Sequence, residues 1–201
     1  MLKDIKVPSS SSSNYLTLFN GELFFMANDG VNGNELWHTD GTEGGTTLFK
    51  DLNPGSSSSS PSSLRVVNVG GASRLYFAAN DGVNNKEVFA SDGTVSGTGL
   101  VADIWTAASY DTGIGPNSFT SFNGKVYFAG NNGVDGKELF VSDGTQGGTY
   151  MLVDLKTGTC PIGMGIVVAC TADPRDLTVF NGKLYLTADS NSNGTELWQC
   201  S

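Results

Sequence analysis

The chain lacks most of what would mark a helical, membrane-embedded or nucleic-acid-binding protein. In 201 residues no apolar run approaches the roughly 18 residues of a membrane span, so the chain is not expected to be membrane-embedded. Long helix-forming stretches of Ala, Leu, Glu and Lys are missing. Basic residues are few, 11 against 20 acidic, and the net charge of -9 disfavours nucleic acid, whose phosphates need clustered Lys and Arg. Histidine occurs once, as His38, and no nucleophile-elbow, P-loop or dinucleotide pattern stands anywhere. Ser-His-Asp chemistry therefore has almost no parts to draw on. The first five residues, Met1-Leu2-Lys3-Asp4-Ile5, lack the basic and apolar regions of a signal peptide, but a cleaved signal would leave no trace.

What the chain does have is glycine, 27 of them, with clusters of Ser, Asn and Asp that supply turn chemistry. These turns punctuate a repeat of about fifty residues. Residues 16–42 read L-T-L-F-N-G-E-L-F-F-M-A-N-D-G-V-N-G-N-E-L-W-H-T-D-G-T, and the pattern returns at 75–94, at 119–145 and, cut short, at 177–200. Each copy contains four strand candidates. The first is Leu16–Phe19, with Val66–Val69, Phe119–Phe122 and Leu177–Phe180 as its equivalents. An Asn-Gly turn follows in three copies (Asn20-Gly21, Asn123-Gly124, Asn181-Gly182), the strongest short-range hairpin signal. The second strand is a nearly continuous apolar run, Leu23–Ala27 and its equivalents, which predicts burial on both faces. The third begins at Glu35, Glu87, Glu138 or Glu196. The fourth follows Asp-Gly-Thr and carries Leu48–Leu52, Leu100–Ile104 and Met151–Leu155.

Four antiparallel strands per unit, apolar on both sheet faces, predict an all-β fold: a four-bladed β-propeller of four-stranded blades in a single domain over 1–201. The blades are expected at 15–52, 64–104, 118–155 and 176–201. Met1–Leu2-Lys3-Asp4-Ile5 aligns with Met151–Leu155, a fourth strand, while the last copy stops at its third. Residues 1–6 are therefore expected to pair beside Glu196–Cys200 and close the ring, removing both open edges.

The units resemble those of the ELWxxDGT-repeat family, also called hyalin-like. The resemblance rests on Glu35-Leu36-Trp37-His38-Thr39-Asp40-Gly41-Thr42, on the Asn-Asp-Gly before it and on Lys50–Ser56 after it, and it covers essentially the whole chain. It implies secreted or surface-associated repeat proteins of propeller-like fold with no established chemistry. Copies two and three carry Phe for Trp, and copy four ends in Cys200-Ser201 where Thr-Asp is expected.

The repeated carboxylates invite two readings. A ring of oxygen ligands suits Ca²⁺, the only cofactor the sequence gives any reason to consider. An Asp in Asp-Gly-Thr also accepts backbone N–H bonds across a tight turn, and a residue present in every copy is read first as a folding device. Partner or ligand contacts are expected instead on the face shared by the second-to-third-strand loops and the connections between blades. The candidates there are Asn28, Asp29, Asn80, Asp81, Asn131 and Asn132, with Trp105 and Tyr110 on the third connection. Cys160 and Cys170 flank a segment found in no other copy, which predicts a disulfide between them, and Cys200 is left over. With the sequon Asn193-Gly194-Thr195, this points outside the cell or to its surface. The function expected is a non-enzymatic binding or scaffolding module for a protein or glycan partner, within a larger assembly or longer repeat chain. The other reading is a propeller-type carbohydrate-active hydrolase, which needs only paired carboxylates.

Overall fold

Strand pairing in a computed structural model follows the repeat. The model describes residues 1–6, 9–105, 115–163, 166–191 and 193–200, and for 159–163 and 166–169 the backbone alone. The first sheet contains β1 (Asn14–Phe19), β2 (Glu22–Asn28), β3 (Asn34–Thr39) and β4 (Thr47–Lys50). The second contains β5 (Ser62–Val69), β6 (Ala72–Ala79), β7 (Glu87–Ser91) and β8 (Thr98–Ala102). The third contains β9 (Asn117–Phe122), β10 (Lys125–Asn131), β11 (Lys137–Ser142) and β12 (Tyr150–Val153). A hairpin of β13 (Thr159–Gly163) and β14 (Ile166–Ala169) follows, then a sheet of β15 (Arg175–Phe180), β16 (Lys183–Ser190) and β17 (Gly194–Cys200). Every pairing is antiparallel and between neighbours in sequence.

The turns form for the reasons their residues suggest. Asn20, Asn123 and Asn181 all adopt φ near +50°, as a two-residue turn matching strand twist demands. The second strands β6 and β10 are buried on both faces because a sheet stacks on either side, whereas β16 alternates buried and half-buried residues. One core packs Phe19, Phe24, Leu36 and Leu52 of the first repeat against Leu64, Leu75, Phe77 and Phe89 of the second. The next joins Val67, Tyr76, Val88 and Ile104 to Phe119, Val126, Phe128 and Phe140. The third sets Phe122, Leu139 and Leu155 against Leu177, Leu184, Leu186 and Trp198. Each is the same set of repeat positions, and burying each Phe or Leu is worth about 1.5–3 kcal/mol. Accordingly β1 packs on β5, β5 on β9 and β9 on β15. The result is a propeller-like succession of blades.

Among the described residues the sheets do not confirm the expected ring closure by the N-terminal strand. Among the described residues the last sheet has three strands, and Met1–Ile5 forms none. The segment is held against the first sheet instead. Lys3 Nζ donates to the carbonyls of Glu43 (3.3 Å) and Thr46 (2.6 Å), and Ile5 packs on Phe25, Ala27 and Trp37. Lys50 makes the same contacts one repeat later, to the Val95 and Thr98 carbonyls. Residues 3–5 thus occupy the place of a preceding blade's fourth strand, while no described strand pairs with the outer edge of β17.

Candidate functional site

The loops between second and third strands are built from their own side chains. Asn28 Oδ1 accepts from the Gly30 N–H at 2.7 Å, and Asp29 Oδ1 from those of Val31 and Asn32, both at 2.8 Å. Asp29 Oδ2 also accepts from the Asn32 amide at 2.7 Å. Asn80 and Asp81 repeat this arrangement with Gly82, Val83 and Asn84. In the third loop the pair is reversed: Asn132 Oδ1 accepts from Val134 and Asp135, and the Asn132 amide donates to the Asp135 carboxylate at 2.8 Å. Asn131 there accepts from Gly133. Burial works to raise the Asp29 and Asp81 carboxyls, but the N–H bonds outweigh it and both lie below the usual range.

All six Asn and Asp candidates in these loops therefore spend acceptor atoms inward, holding a turn. What each loop presents outward is a valine that sequence reasoning passed over. Val31, Val83 and Val134 are all exposed at the loop tips. The signal was available, since an apolar residue follows Asn-Asp-Gly or Asn-Asn-Gly at each tip. Trp105 is half-buried with its backbone N–H donating to Glu87 Oε1 at 3.2 Å, and Tyr110 lies outside the described residues. So does the side chain of Cys160, so the expected bridge to Cys170 is not described; Cys200 is free.

The glutamates that open the third strands strap the sheets together. Glu35 is fully buried. Its carboxylate accepts from the N–H of Leu52 (2.8 Å), two residues beyond the fourth strand, and from the N–H (2.7 Å) and hydroxyl (2.6 Å) of Ser59, on the connection to the second sheet. Glu87 takes the N–H bonds of Ile104 and Trp105, and Glu138 those of Leu155 and Ala172. Burial raises Glu35, and it pushes Glu138 from 4.5 up to about 7 against the pull of those two N–H bonds. Glu196, at the same place in the last copy, is exposed.

The Asp-Gly-Thr turns complete the inventory of repeated acids. Asp40 Oδ1 accepts from the Thr42 N–H (2.9 Å) and hydroxyl (2.7 Å), the Thr42 hydroxyl accepts from Gly45, and the Thr46 hydroxyl donates back to the Thr42 carbonyl. Asp92 and Asp143 do the same. A side chain at Gly45 would strike the Asp40 carboxylate, which is why Gly-Thr recurs three residues after each Asp-Gly-Thr. These hydrogen bonds, from Thr42, Thr94 and Thr145 in turn, hold all three Asp carboxyls low. His38 is tied into the first sheet, its ring nitrogens 2.7 Å from Glu22 Oε2 and 3.0 Å from Thr47 Oγ1. Among the described residues, no group of three or more His, Cys, Asp or Glu side chains converges as a metal would require.

These opposed shifts set the pH dependence of stability. The lowered aspartates contribute stability that is present above 3.8 and lost as pH falls. The raised Glu138 contributes below 4.5 and loses that contribution as pH rises toward about 7. Thermal melts are expected to show a maximum in the mildly acidic range, and Glu138→Gln should flatten the decline on its neutral side. A decline unchanged in that variant would show that Glu138 is not its source.

A recess of about 780 Å³ opens between the second and third sheets, on the side of the Asp-Gly-Thr turns. It exists because the second repeat has Ala90 and Gly99 where the first has His38 and Thr47. Arg74, Asp143, Thr145 and Gln146 line it, with the Tyr76 hydroxyl, buried and without a hydrogen-bond partner among the described residues.

No family model matches the chain, and no curated protein does. Among solved structures, the chain is similar to an endo-arabinase from Bacteroides thetaiotaomicron VPI-5482, at 14% identity and a TM-score of 0.41, over 97% of this chain and 76% of that one. A likeness at that level carries no argument about chemistry.

Proposed function

We propose that the chain is a binding or scaffolding module that recognises a partner protein through its loop face, as part of a secreted or cell-surface ELWxxDGT-type repeat protein. The observation that carries this reading is the construction of the loops. Three equivalent loops spend their polar groups on internal turns and present Val31, Val83 and Val134 outward, three apolar tips already ordered before contact. The predicted Cys160–Cys170 bridge belongs to the same extracellular reading.

The recess supports a second reading, a small polar ligand or glycan held by Arg74, Gln146 and the Tyr76 hydroxyl. A hydrolase finds less support, because the recurring buried glutamates already have backbone donors on their oxygens. The test is capture of surface proteins and a glycan array, run with wild type and with Val31→Asp/Val83→Asp/Val134→Asp. Protein capture should weaken at least about tenfold in the variant with the melting temperature unchanged. Glycan binding that survives it but is lost in Arg74→Ala would favour the recess. Glycoside turnover abolished by one carboxylate change would overturn the binding reading.

A further inference from the structure

The repeat supplies an internal standard for what each surface should touch, and two surfaces fail it. The strand register, with Leu18 opposite Leu23 and Val66 opposite Leu75, corrects the sequence alignment by two residues and makes Leu64 and Val67, not Val66 and Val69, the matches of Leu16 and Phe19. At the front of the molecule, Leu16 is 63% exposed, whereas its equivalents Leu64, Phe119 and Leu177 are buried against the preceding sheet. At the back, Phe180 is 62% and Leu197 71% exposed. Their equivalents Phe19, Val67 and Phe122, and Leu36, Val88 and Leu139, are buried against the following sheet. Among the described residues no sheet packs on the front face of the first sheet or on the back face of the last. No packing comparable to β1 on β5 joins β15 to β1.

Three further features show what would fit. The front face holds an apolar pocket of about 190 Å³ lined by Leu2, Ile5, Leu16, Leu23 and Phe25. Leu64, Leu75 and Phe77 form the same surface one repeat on, and there Phe19 packs into it. At the back, no described strand pairs with the outer edge of β17. In the first sheet that edge is covered with Leu36 opposite Lys50 and Trp37 opposite Leu48, so the matching pairs here are Leu197 with Lys3 and Trp198 with Met1. Finally, Glu196 is exposed, whereas Glu35, Glu87 and Glu138 each take the N–H of the residue two places beyond a fourth strand: Leu52, Ile104 and Leu155. Ile5 is the residue that corresponds to these.

We infer that the chain associates head to tail with a second copy of itself, the back face of one copy docking on the front face of the next. Phe180 and Leu197 fill the Leu16–Leu23–Phe25 pocket of the neighbouring copy. Residues 1–5 of that copy pair with β17 as its fourth strand, and Glu196 receives the Ile5 N–H. The two faces differ, so the contact is heterologous and propagates beyond a dimer unless it closes into a ring of copies. This rests on the internal sheet-to-sheet interfaces and not on which ligand the loop face takes.

Analytical ultracentrifugation of wild type, Leu16→Asp, Phe180→Asp and an equimolar mixture of the two variants tests it. Both positions are exposed, so each variant should melt like wild type. Wild type should show mass rising with concentration past the dimer. Each variant alone should be monomeric, with association weakened at least about 30-fold. The mixture should form a dimer and stop there, because one copy keeps an intact back and the other an intact front. A wild type that is monomeric at every concentration would mean that the faces are covered within one chain, and would overturn the proposal. So would association that persists in either single variant, or a mixture that stays monomeric.

Discussion

Replacing Glu35 by alanine is expected to cost about 3–5 kcal/mol of stability, whereas the same change at Glu196 should cost less than about 0.5 kcal/mol in the monomer. Both residues stand in the same Glu-Leu-Trp motif, so the sequence gives no ground for a difference. The structure does. Removing the Glu35 carboxylate leaves the Leu52 N–H and the Ser59 N–H and hydroxyl without an acceptor in a dry interface, at about 1–3 kcal/mol for each orphaned group before relaxation. Glu196 is exposed, and water can replace any bond it makes. Urea denaturation of the two variants separates these outcomes. Equal losses would mean that the glutamate acts within its own strand, and the interpretation of it as a strap between sheets would fail.

The second large effect is expected at Gly136. Its φ of +81° alone makes alanine costly, and a Cβ there would stand 2.2 Å from the Cys170 carbonyl oxygen. Gly124 has a similar φ of +73° and open space around the missing side chain. Gly124→Ala should therefore cost about 1–2 kcal/mol, the price of a left-handed conformation for an L-residue. Gly136→Ala should cost about 2–5 kcal/mol, because the connection at Cys170 must also move. That movement disturbs the bonds from Thr171 and Ala172 to Lys137, and from Ala172 to Glu138. Thermal melts of both variants read the difference directly. Similar losses would show that the connection yields easily and does not hold the third loop.

Much of this fold is legible because it is local. An Asn-Gly between two apolar runs states a hairpin, and a second strand apolar on both sides states a sheet between sheets. Other features have no local signature. A bulge recurs in the first strand of every sheet, with positive φ at Tyr15, Ser63, Ser118 and Asp176, residue types that share no property a reader could follow. The hairpin of β13 and β14 falls in the one segment that the repeat does not cover. The recess between second and third sheets comes from two small residues, Ala90 and Gly99, whose effect depends on what the neighbouring sheet fails to supply.

The candidate site divides in the same way. Asn28, Asp29 and their equivalents were readable as turn-forming residues on one face, but not as groups already saturated by their own loops. The outward valines were in plain view and gained meaning only once the polar groups beside them were accounted for. The aspartates of Asp-Gly-Thr serve the turn chemistry expected of them, through bonds that span only a few residues. The glutamates do not act locally: Glu35 reaches backbone atoms 17 and 24 residues away, and backbone donors leave no mark on residue type.

The sequence by itself determined the strands, their antiparallel order within each repeat and the turns that join them, because each depends on neighbours in the chain. Only the tertiary structure decided where residues 1–5 lie and which repeated positions are buried. Burial at Leu16, Phe180 and Glu196 depends on whether another sheet stands beside them. Identical motifs thus acquire opposite environments at the two ends of the molecule and in its middle.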